Sequence, residues 1–574
     1  MAETPLLDDV VVRSSVDFKG LPAVRSKSGG WKSATLIIGV EMAEVFAYYG
    51  IKSNLVSYLT GPLAQSTATA AANVNAWSGV TSFSPLLCSV FADSYLGRNR
   101  TIIVTTLLNI LGLGFLSLST ALHSSNYSDC QSDVDNMACS PPQVQIIFFF
   151  FSLYLVALAQ GNKPCLQAFG ADQFDEEDEK ECKAKGSFFN WWSFGVALSI
   201  LVGLWVLSYI QENLSWELGF GIPCIVMCFA LIVFLIGSMT YRFPIRNGER
   251  NPFVRIGRVF VRAARNWRIA PSIISIDEEA RQILPYEDVH SSRFLDKATL
   301  EPNGPKDIVC SVGDIEDAKS ILRLLPISFT CLPYAIVSSQ TSTLFNKQGV
   351  TMDRYITTNF QIPAAALQSL SFASTVLFIP LYDRVLVPIA RAITKRPLGI
   401  SMLQRIGTGI FLCTIAMLIA GCIERKRLAT AFEYGLVDSP NATVPMSVWW
   451  IAPQYLVLGI ADVLTLIGLQ EFFYDQVPSD FKSMGLALFY CIIGSGSFLS
   501  SFLISMIEKA TSGRGRESWF ANNLNRAHLD YFYWLLAGLV AFSLVFYVNF
   551  AKSYAYNGRI CCLKLYSITC HGNK

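Results

Sequence analysis

The chain has 574 residues, of which 52% are hydrophobic and only 15% are charged, and its mean hydropathy is +0.40. A soluble domain carries about 25% charged residues, so this chain has too few charges to cover the surface of a soluble protein. The 45 basic and 43 acidic residues nearly cancel, which gives no indication of a nucleic-acid partner and leaves the lipid bilayer as the expected environment.

Metal and enzyme chemistry have no recognisable signature in the sequence. The 15 cysteines and four histidines are scattered without the spacing of zinc ligands, so we expect neither a metal nor a cofactor. The patterns GxxxxGK[ST], HExxH and GxSxG are missing, which argues against an ATP-driven pump or a membrane hydrolase. We therefore expect a non-enzymatic protein.

Long apolar runs predict an all-α membrane protein. A helix needs about 20 mainly apolar residues to cross the hydrocarbon core, and twelve such spans are predicted: 33–58, 72–92, 101–122, 144–169, 187–210, 217–241, 321–345, 360–382, 400–422, 447–473, 484–507 and 530–551. They fall into two groups of six. The predicted organisation is an N-terminal tail (1–32), a six-helix bundle (33–242), a linker (243–318), a second six-helix bundle (319–552) and a C-terminal tail (553–574).

The basic residues of the short loops predict the orientation. Lys and Arg favour cytosolic loops, and in the first half they cluster after spans two and four: Arg98, Arg100, Lys180, Lys183 and Lys185. Both termini and the linker are then cytosolic. Three glycosylation sequons, at Asn126, Asn213 and Asn441, fall on the inferred outer loops.

The linker contains a basic stretch in which arginines alternate with apolar residues at helical spacing, from Phe253 to Arg268. This spacing is typical of an amphipathic helix on the membrane surface. A solvated linker helix explains the same pattern.

Ionisable side chains inside the spans mark the candidate site, because they are costly in a bilayer. Glu41 and Glu44 lie one turn apart on the first span and share a face. Lys163 interrupts span four and Asp462 lies in the middle of span ten, at comparable depth in opposite halves. A cation and an anion placed in this way can form an ion-coupled gate, and a static ion pair that fixes helix register is the alternative.

Several strings are more specific than composition. Phe91–Arg98 resembles the loop between spans two and three of the major facilitator superfamily, and Phe169–Asp175 resembles a signature of the proton-coupled oligopeptide transporters. Tyr48–Lys52 and Gln470–Pro478 resemble the plant nitrate/peptide transporter family, and two further strings, 67–77 and 519–533, resemble its fifth subfamily. The resemblance covers nearly the whole chain.

This resemblance implies two six-helix bundles around a central site that opens alternately to either side. It also implies proton coupling by Glu41, Glu44, Lys163 and Asp462, with Asp93 and Arg98 in gating. Solute binding is implied for the following residues of the central site: Tyr48, Lys52, Lys163, Ser338, Gln340 and Asp462. The family motif E-x-x-E-R reads Glu41-Met-Ala-Glu44-Val45 here, so the arginine is replaced by an apolar residue.

We therefore expect a monomeric secondary transporter that moves a small solute together with protons. Nitrate, short peptides, hormones and glycosylated metabolites are the solute classes that the resemblance implies. Val45 keeps open a proton-independent facilitator of the same fold, and the long linker keeps open a solute sensor or receptor. The resemblance indicates the vacuolar or the plasma membrane.

Overall fold

The structure is a computed structural model and is mostly helical. It describes residues 11–92, 96–130, 142–175, 178–244, 252–266, 293–296, 312–357, 360–394, 400–440, 442–477, 482–512 and 518–554.

The first half contains six spans, several of which are built from two consecutive helices. The helices are α1 (Gly30–Lys52), α2 (Leu55–Thr60), α3 (Thr67–Phe91), α4 (Arg98–Cys130), α5 (Gln143–Ala159), α6 (Lys163–Ala171), α7 (Glu179–Val202), α8 (Ser208–Asn213) and α9 (Trp216–Gly237). Two helices of the linker follow, α10 (Pro252–Arg265) and α11 (Arg293–Asp296).

The second half repeats this arrangement. Its helices are α12 (Val312–Thr330), α13 (Leu332–Ser338), α14 (Leu344–Val350), α15 (Ser369–Leu381), α16 (Val387–Thr394), α17 (Met402–Glu433), α18 (Ala452–Asp462), α19 (Gly468–Gln476), α20 (Lys482–Thr511) and α21 (Leu529–Ser553). We call the side of the bundles from which the linker leaves the linker side, and the other side the far side.

Within the described residues, ten helices are long and apolar enough to cross a membrane, and one bent pair forms an eleventh span. The bent pair is α12 with α13, which meet at 53°. Pro326 and Pro333 lie next to this break, and proline removes the hydrogen bond that would continue the helix. Each of the twelve predicted spans coincides with one or more helices, but α3, which covers the second, is not among the eleven that are apolar enough to cross a membrane.

The composition of α3 reflects what it packs against. It is rich in Thr, Ser, Asn and Ala, and it packs closely against α20 of the other half. Asn75 donates to the Ser500 hydroxyl across this contact (2.9 Å), and a Cβ added at Gly79 would lie 2.9 Å from the Phe498 ring. Small residues allow such close helix contacts in membranes, so α3 belongs to the interface between the halves.

Short strands complete the fold at both sides of the bundles. On the linker side, β1 (Val11–Val16) pairs with β2 (Pro22–Val24) and with β3 (Phe243–Pro244). The far side carries β4 (Met352–Asp353), β5 (Tyr355–Thr357), β6 (Phe360–Gln361) and β7 (Val444–Ser447). Part of the predicted N-terminal tail is thus an ordered hairpin, and Arg25 fixes it to Asp175 of the first bundle at 2.6 Å.

Candidate functional site

The first half of the site is an acidic face in the middle of α1. Glu41 and Glu44 are both buried, as their spacing of one helical turn predicts. Glu44 accepts hydrogen bonds from the Asn162 amide (2.6 Å) and the Thr106 hydroxyl (3.4 Å). One oxygen of each carboxylate has no hydrogen-bond partner within the described part of the chain. The two carboxylates therefore retain acceptor capacity for a proton, water or solute.

Two lysines lie beside a single aromatic ring next to these carboxylates. The fourth span breaks at Gln160–Asn162, and α6 begins with Lys163 and Pro164. The Lys163 Nζ atom lies 4.1 Å from the centroid of the Tyr48 ring, and the Lys52 Nζ atom lies 5.6 Å from the same centroid. The break thus places the Lys163 ammonium where its charge acts on Glu41 and Glu44.

Val45 belongs to an apolar contact between the first and fifth spans. Its side chain is buried and packs against Ile200 and Leu204 of the fifth span. The position at which the family motif has an arginine is therefore part of an apolar contact in this chain.

The second half of the site contains a single carboxylate. Asp462 is half-buried and accepts a hydrogen bond from the Tyr334 hydroxyl of the seventh span. A wider helical turn follows directly at Val463–Ile467, and such turns are frequent at functional sites. Lys52 of the first half is the cation whose charge acts on Asp462, so the two halves are electrostatically connected.

The direct ion pair expected between Lys163 and Asp462 is not formed in this structure. Lys163 is turned towards Tyr48 and the two glutamates of its own half, and Asp462 is held by Tyr334 of its own half. Similar depth along two spans does not fix the lateral distance between them, which explains the difference.

The other two predicted solute-binding residues differ in accessibility. Ser338 is half-buried at the end of α13. Gln340 is fully buried, and its amide nitrogen donates to Ser500 and to the Ile336 carbonyl, each at 2.8 Å. Because Asn75 donates to the same serine, Gln340 lies in the polar interface between the halves.

The predicted gating residues are described only in part. Asp93 lies outside the described residues. Arg98, at the start of α4, forms an ion pair with Asp172 beyond the end of α6. This contact joins the linker ends of the third and fourth spans within the first half.

The glycosylation sites remain predictions. Asn213 is exposed at the far end of α8, and its amide donates to the Tyr209 carbonyl (3.1 Å). The side chain of Asn126 and the whole of Asn441 lie outside the described residues.

Contacts join the two halves on the far side. The Ser53 carbonyl accepts hydrogen bonds from the Asn346 amide (2.9 Å) and the Gln368 amide (3.1 Å). Nearby, Arg354 and Glu212 form a partly buried ion pair at 2.9 Å. We call these three contacts the far-side clamp.

Sequence reasoning did not identify several residues that complete the site. Asn162 is adjacent to Lys163 in the sequence, and a polar residue at a helix break is a signal that could have found it. Thr106, Tyr334 and Tyr490 carry no comparable signal. They reach the site only because the third, seventh and eleventh spans approach it; Tyr490, for example, comes within electrostatic range of Glu41.

Known proteins resemble this chain in sequence and in structure. Residues 99–520 match the PTR2 domain, described as the POT family. The NRT1/PTR FAMILY 5.10 protein of Arabidopsis thaliana is 58% identical over 96% of this chain and 97% of its own length. The NRT1/PTR FAMILY 5.12 protein of the same plant is 52% identical over 95% of this chain and 96% of its own length.

Two solved structures share the fold. An auto inhibited POT family peptide transporter superposes with a TM-score of 0.69 at 20% identity, over 92% of this chain and 99% of that one. The POT family transporter PepTSo superposes with a TM-score of 0.64 at 19% identity, over 92% of this chain and 99% of that one.

The fold and these relatives define a multi-pass integral membrane transporter of small solutes. The chain belongs to the POT family, and its close relatives are plant NRT1/PTR proteins of the fifth subfamily. The predicted family, fold and class of protein are thereby confirmed.

Proposed function

We propose that this protein is a proton-coupled secondary transporter that moves a small solute by alternating access. The observation that supports it is the cluster of Glu41, Glu44 and Lys163 in the first half, in which both carboxylates are buried, together with the carboxylate of Asp462 in the second half. Buried charges in a membrane are costly unless they are balanced, so a cluster of this kind is expected to serve transport.

The charge balance of the cluster supports proton binding. Two carboxylates face one lysine, so one negative charge remains in excess unless a carboxylate holds a proton. The arginine of the family motif is replaced here by Val45, which is part of an apolar contact and supplies no cation. Binding and release of this proton by Glu41 or Glu44 would couple the proton gradient to the movement of the two halves.

The solute site lies between the halves, where half-buried polar side chains from both of them meet. Lys52 and Lys163 beside the Tyr48 ring would bind an anionic group of the solute, and Asp462 and Ser338 would contact its other end. Gln340 would act through the interface between the halves. Nitrate, a peptide carboxylate, an acidic hormone and a charged glycoside all carry a group of this kind.

Alternating access requires the far-side clamp to break and the linker side to close. The clamp joins the halves in this structure through Ser53 and through the Arg354–Glu212 pair. Arg98 lies on the linker side and would act when that side closes, and we expect Asp93 of the same sequence motif to act with it.

A facilitator without proton coupling is the second candidate, and Val45 favours it. If the excess proton stays bound throughout the cycle, the same site moves solute only down its gradient. The apolar packing of Val45 removes a charge that could help to release the proton.

We place the protein, as a monomer, in the vacuolar or the plasma membrane with both termini in the cytosol. The far side would then carry the glycosylation sequons, of which Asn213 is exposed.

The experiment is a solute uptake screen in a heterologous cell at acidic and at neutral pH. The panel should include nitrate, di- and tripeptides, acidic hormones and glycosides, with Lys163→Ala as the control for background uptake. Uptake of one class, lost in Lys163→Ala, supports the proposal. Solute binding without flux in reconstituted vesicles would instead indicate a sensor.

A further inference from the structure

The linker helix α10 is fixed to the start of the seventh span. Arg255 donates to Asp314 (2.8 Å) and pairs with Asp317 (3.4 Å). Val259 and Ala263 are fully buried against Ile315 and Ala318 of α12. An amphipathic helix on the membrane surface would turn its apolar residues towards the membrane. In α10, however, Ile256 and Val259 face the protein.

The anchor places α10 at the depth of the lipid headgroups. Arg323 is the last charged residue of α12, and the predicted span begins at residue 321. Ile315 and Ala318 precede that point by about 9 and 5 Å at a rise of about 1.5 Å per residue. The headgroup layer on each side of the hydrocarbon core is about 5 to 8 Å thick, so α10 packs on α12 where Ala318 lies within this layer and Ile315 lies at its outer edge.

The face of α10 opposite to the buried one is both apolar and basic. Val254 and Val261 are 48% and 55% exposed. Counted from Val254, Arg258 lies at position i+4, Val261 at i+7 and Arg265 at i+11. At about 100° per residue these four side chains fall within an arc of about 60°. Neither Arg258 nor Arg265 forms an ion pair with the part of the chain that the structure describes.

From this arrangement we infer that Val254, Arg258, Val261 and Arg265 form a binding site for anionic phospholipid headgroups of the linker-side leaflet. The valines insert at the boundary of the acyl chains, and the guanidinium groups bind phosphate or carboxylate oxygens, for which their planar donor geometry is suited. If only water covered this face, Val254 and Val261 would have no apolar contact and Arg258 and Arg265 would have no ionic partner. The site is independent of the central solute site.

The test uses the full-length protein in nanodiscs of phosphatidylcholine, with or without about one third phosphatidylserine. The photoreactive residue benzoylphenylalanine is incorporated in place of Val261, and mass spectrometry identifies what it crosslinks. We expect lipid adducts that favour phosphatidylserine. Each arginine near an anionic surface contributes roughly a fivefold gain in affinity, so Arg258→Gln with Arg265→Gln should lower that preference by about 25-fold.

Two controls separate this site from general charge and from unfolding. Arg425→Gln with Lys509→Gln removes two exposed positive charges from the far side and should leave the preference unchanged. Benzoylphenylalanine in place of the buried Val259 should crosslink within the protein. Equal labelling of both lipids, adducts with a second copy of the chain, or no lipid adduct from position 261 would each overturn the inference.

Discussion

The two halves of the central site balance their charges in different ways. The first half brings Glu41, Glu44 and Lys163 together on neighbouring spans, so one of its two negative charges is compensated within that half. Among the described residues of the site, the second half contributes Asp462, which accepts a hydrogen bond from Tyr334 and is acted on by the charge of Lys52 across the interface. The electrostatic energy of Asp462 therefore depends on how the halves are placed, whereas that of the first cluster depends mainly on whether it holds a proton.

The largest expected effect comes from removing the cation of the first cluster. Lys163→Ala leaves Glu41 and Glu44 without their partner, and an unpaired buried charge costs about 3 to 5 kcal/mol. Uptake should fall by at least about 100-fold. Initial rates in proteoliposomes measure this, with Lys32→Ala, an exposed lysine at the start of α1, as the control that keeps its activity.

Near-normal uptake by Lys163→Ala would show that the first cluster does not need its lysine. A double-mutant cycle of Lys163 with Asp462 sharpens the comparison. Coupling in the turnover rate would mean that the two residues meet at another stage of the cycle, since they are not paired in this structure.

The next effect concerns the second half. Tyr334→Phe removes the hydroxyl that donates to Asp462 while keeping the ring, and a hydrogen bond to a charged group contributes about 1.5 to 3 kcal/mol. We expect a loss in uptake of about tenfold or more. Tyr209→Phe, on the exposed surface of α8, is the matched control. Unchanged uptake by Tyr334→Phe would mean that Asp462 needs no partner from its own half.

A smaller effect is expected at the linker ends of the first half. Arg98→Ala breaks the pair with Asp172, which is partly exposed, so a loss of about 1 kcal/mol corresponds to about fivefold. The loss should appear in the turnover rate and leave the apparent affinity for solute unchanged, because the pair lies away from the solute site. Arg100→Ala, exposed two residues further along, should have no effect. A change in affinity alone would exclude Arg98 from gating.

The smallest effect is expected at Val45. Val45→Ala removes two methyl groups from the contact with Ile200 and Leu204, which should lower the melting temperature by a few degrees. The pH dependence of uptake should stay the same, because the substitution changes neither a charge nor a hydrogen bond. Scanning fluorimetry and uptake at several pH values measure the two properties separately. A shifted pH profile would place Val45 in the coupling machinery.

The sequence predicts features within one span of this site more directly than contacts between different spans. The shared face of Glu41 and Glu44 follows from helical spacing alone, and the break before Lys163 follows from Pro164. The partners Asn162, Thr106 and Tyr334 depend on how the spans approach one another, which periodicity does not encode. The same limit explains why similar depth suggested a direct pair between Lys163 and Asp462 that this structure does not form.

The fold shows the same division. Hydropathy predicts the order of the spans, and eleven of the twelve correspond to helices apolar enough to cross a membrane. The exception is α3, whose small polar residues are explained by its packing against α20. The hairpin of β1 and β2 was not expected, because it depends on pairing with β3, which follows the last helix of the first half in the sequence.

The most direct test of the central claim is solute uptake into proteoliposomes with an imposed pH difference, with and without a protonophore. We predict that the unmodified protein accumulates solute above equilibrium and that the protonophore abolishes this accumulation. Glu44→Gln should lose the accumulation but still exchange solute across the membrane. Glu433→Gln, an exposed acid at the end of α17, should accumulate normally. Uptake that only equilibrates, with the same rate in the presence of protonophore, would contradict proton coupling and establish the facilitator instead.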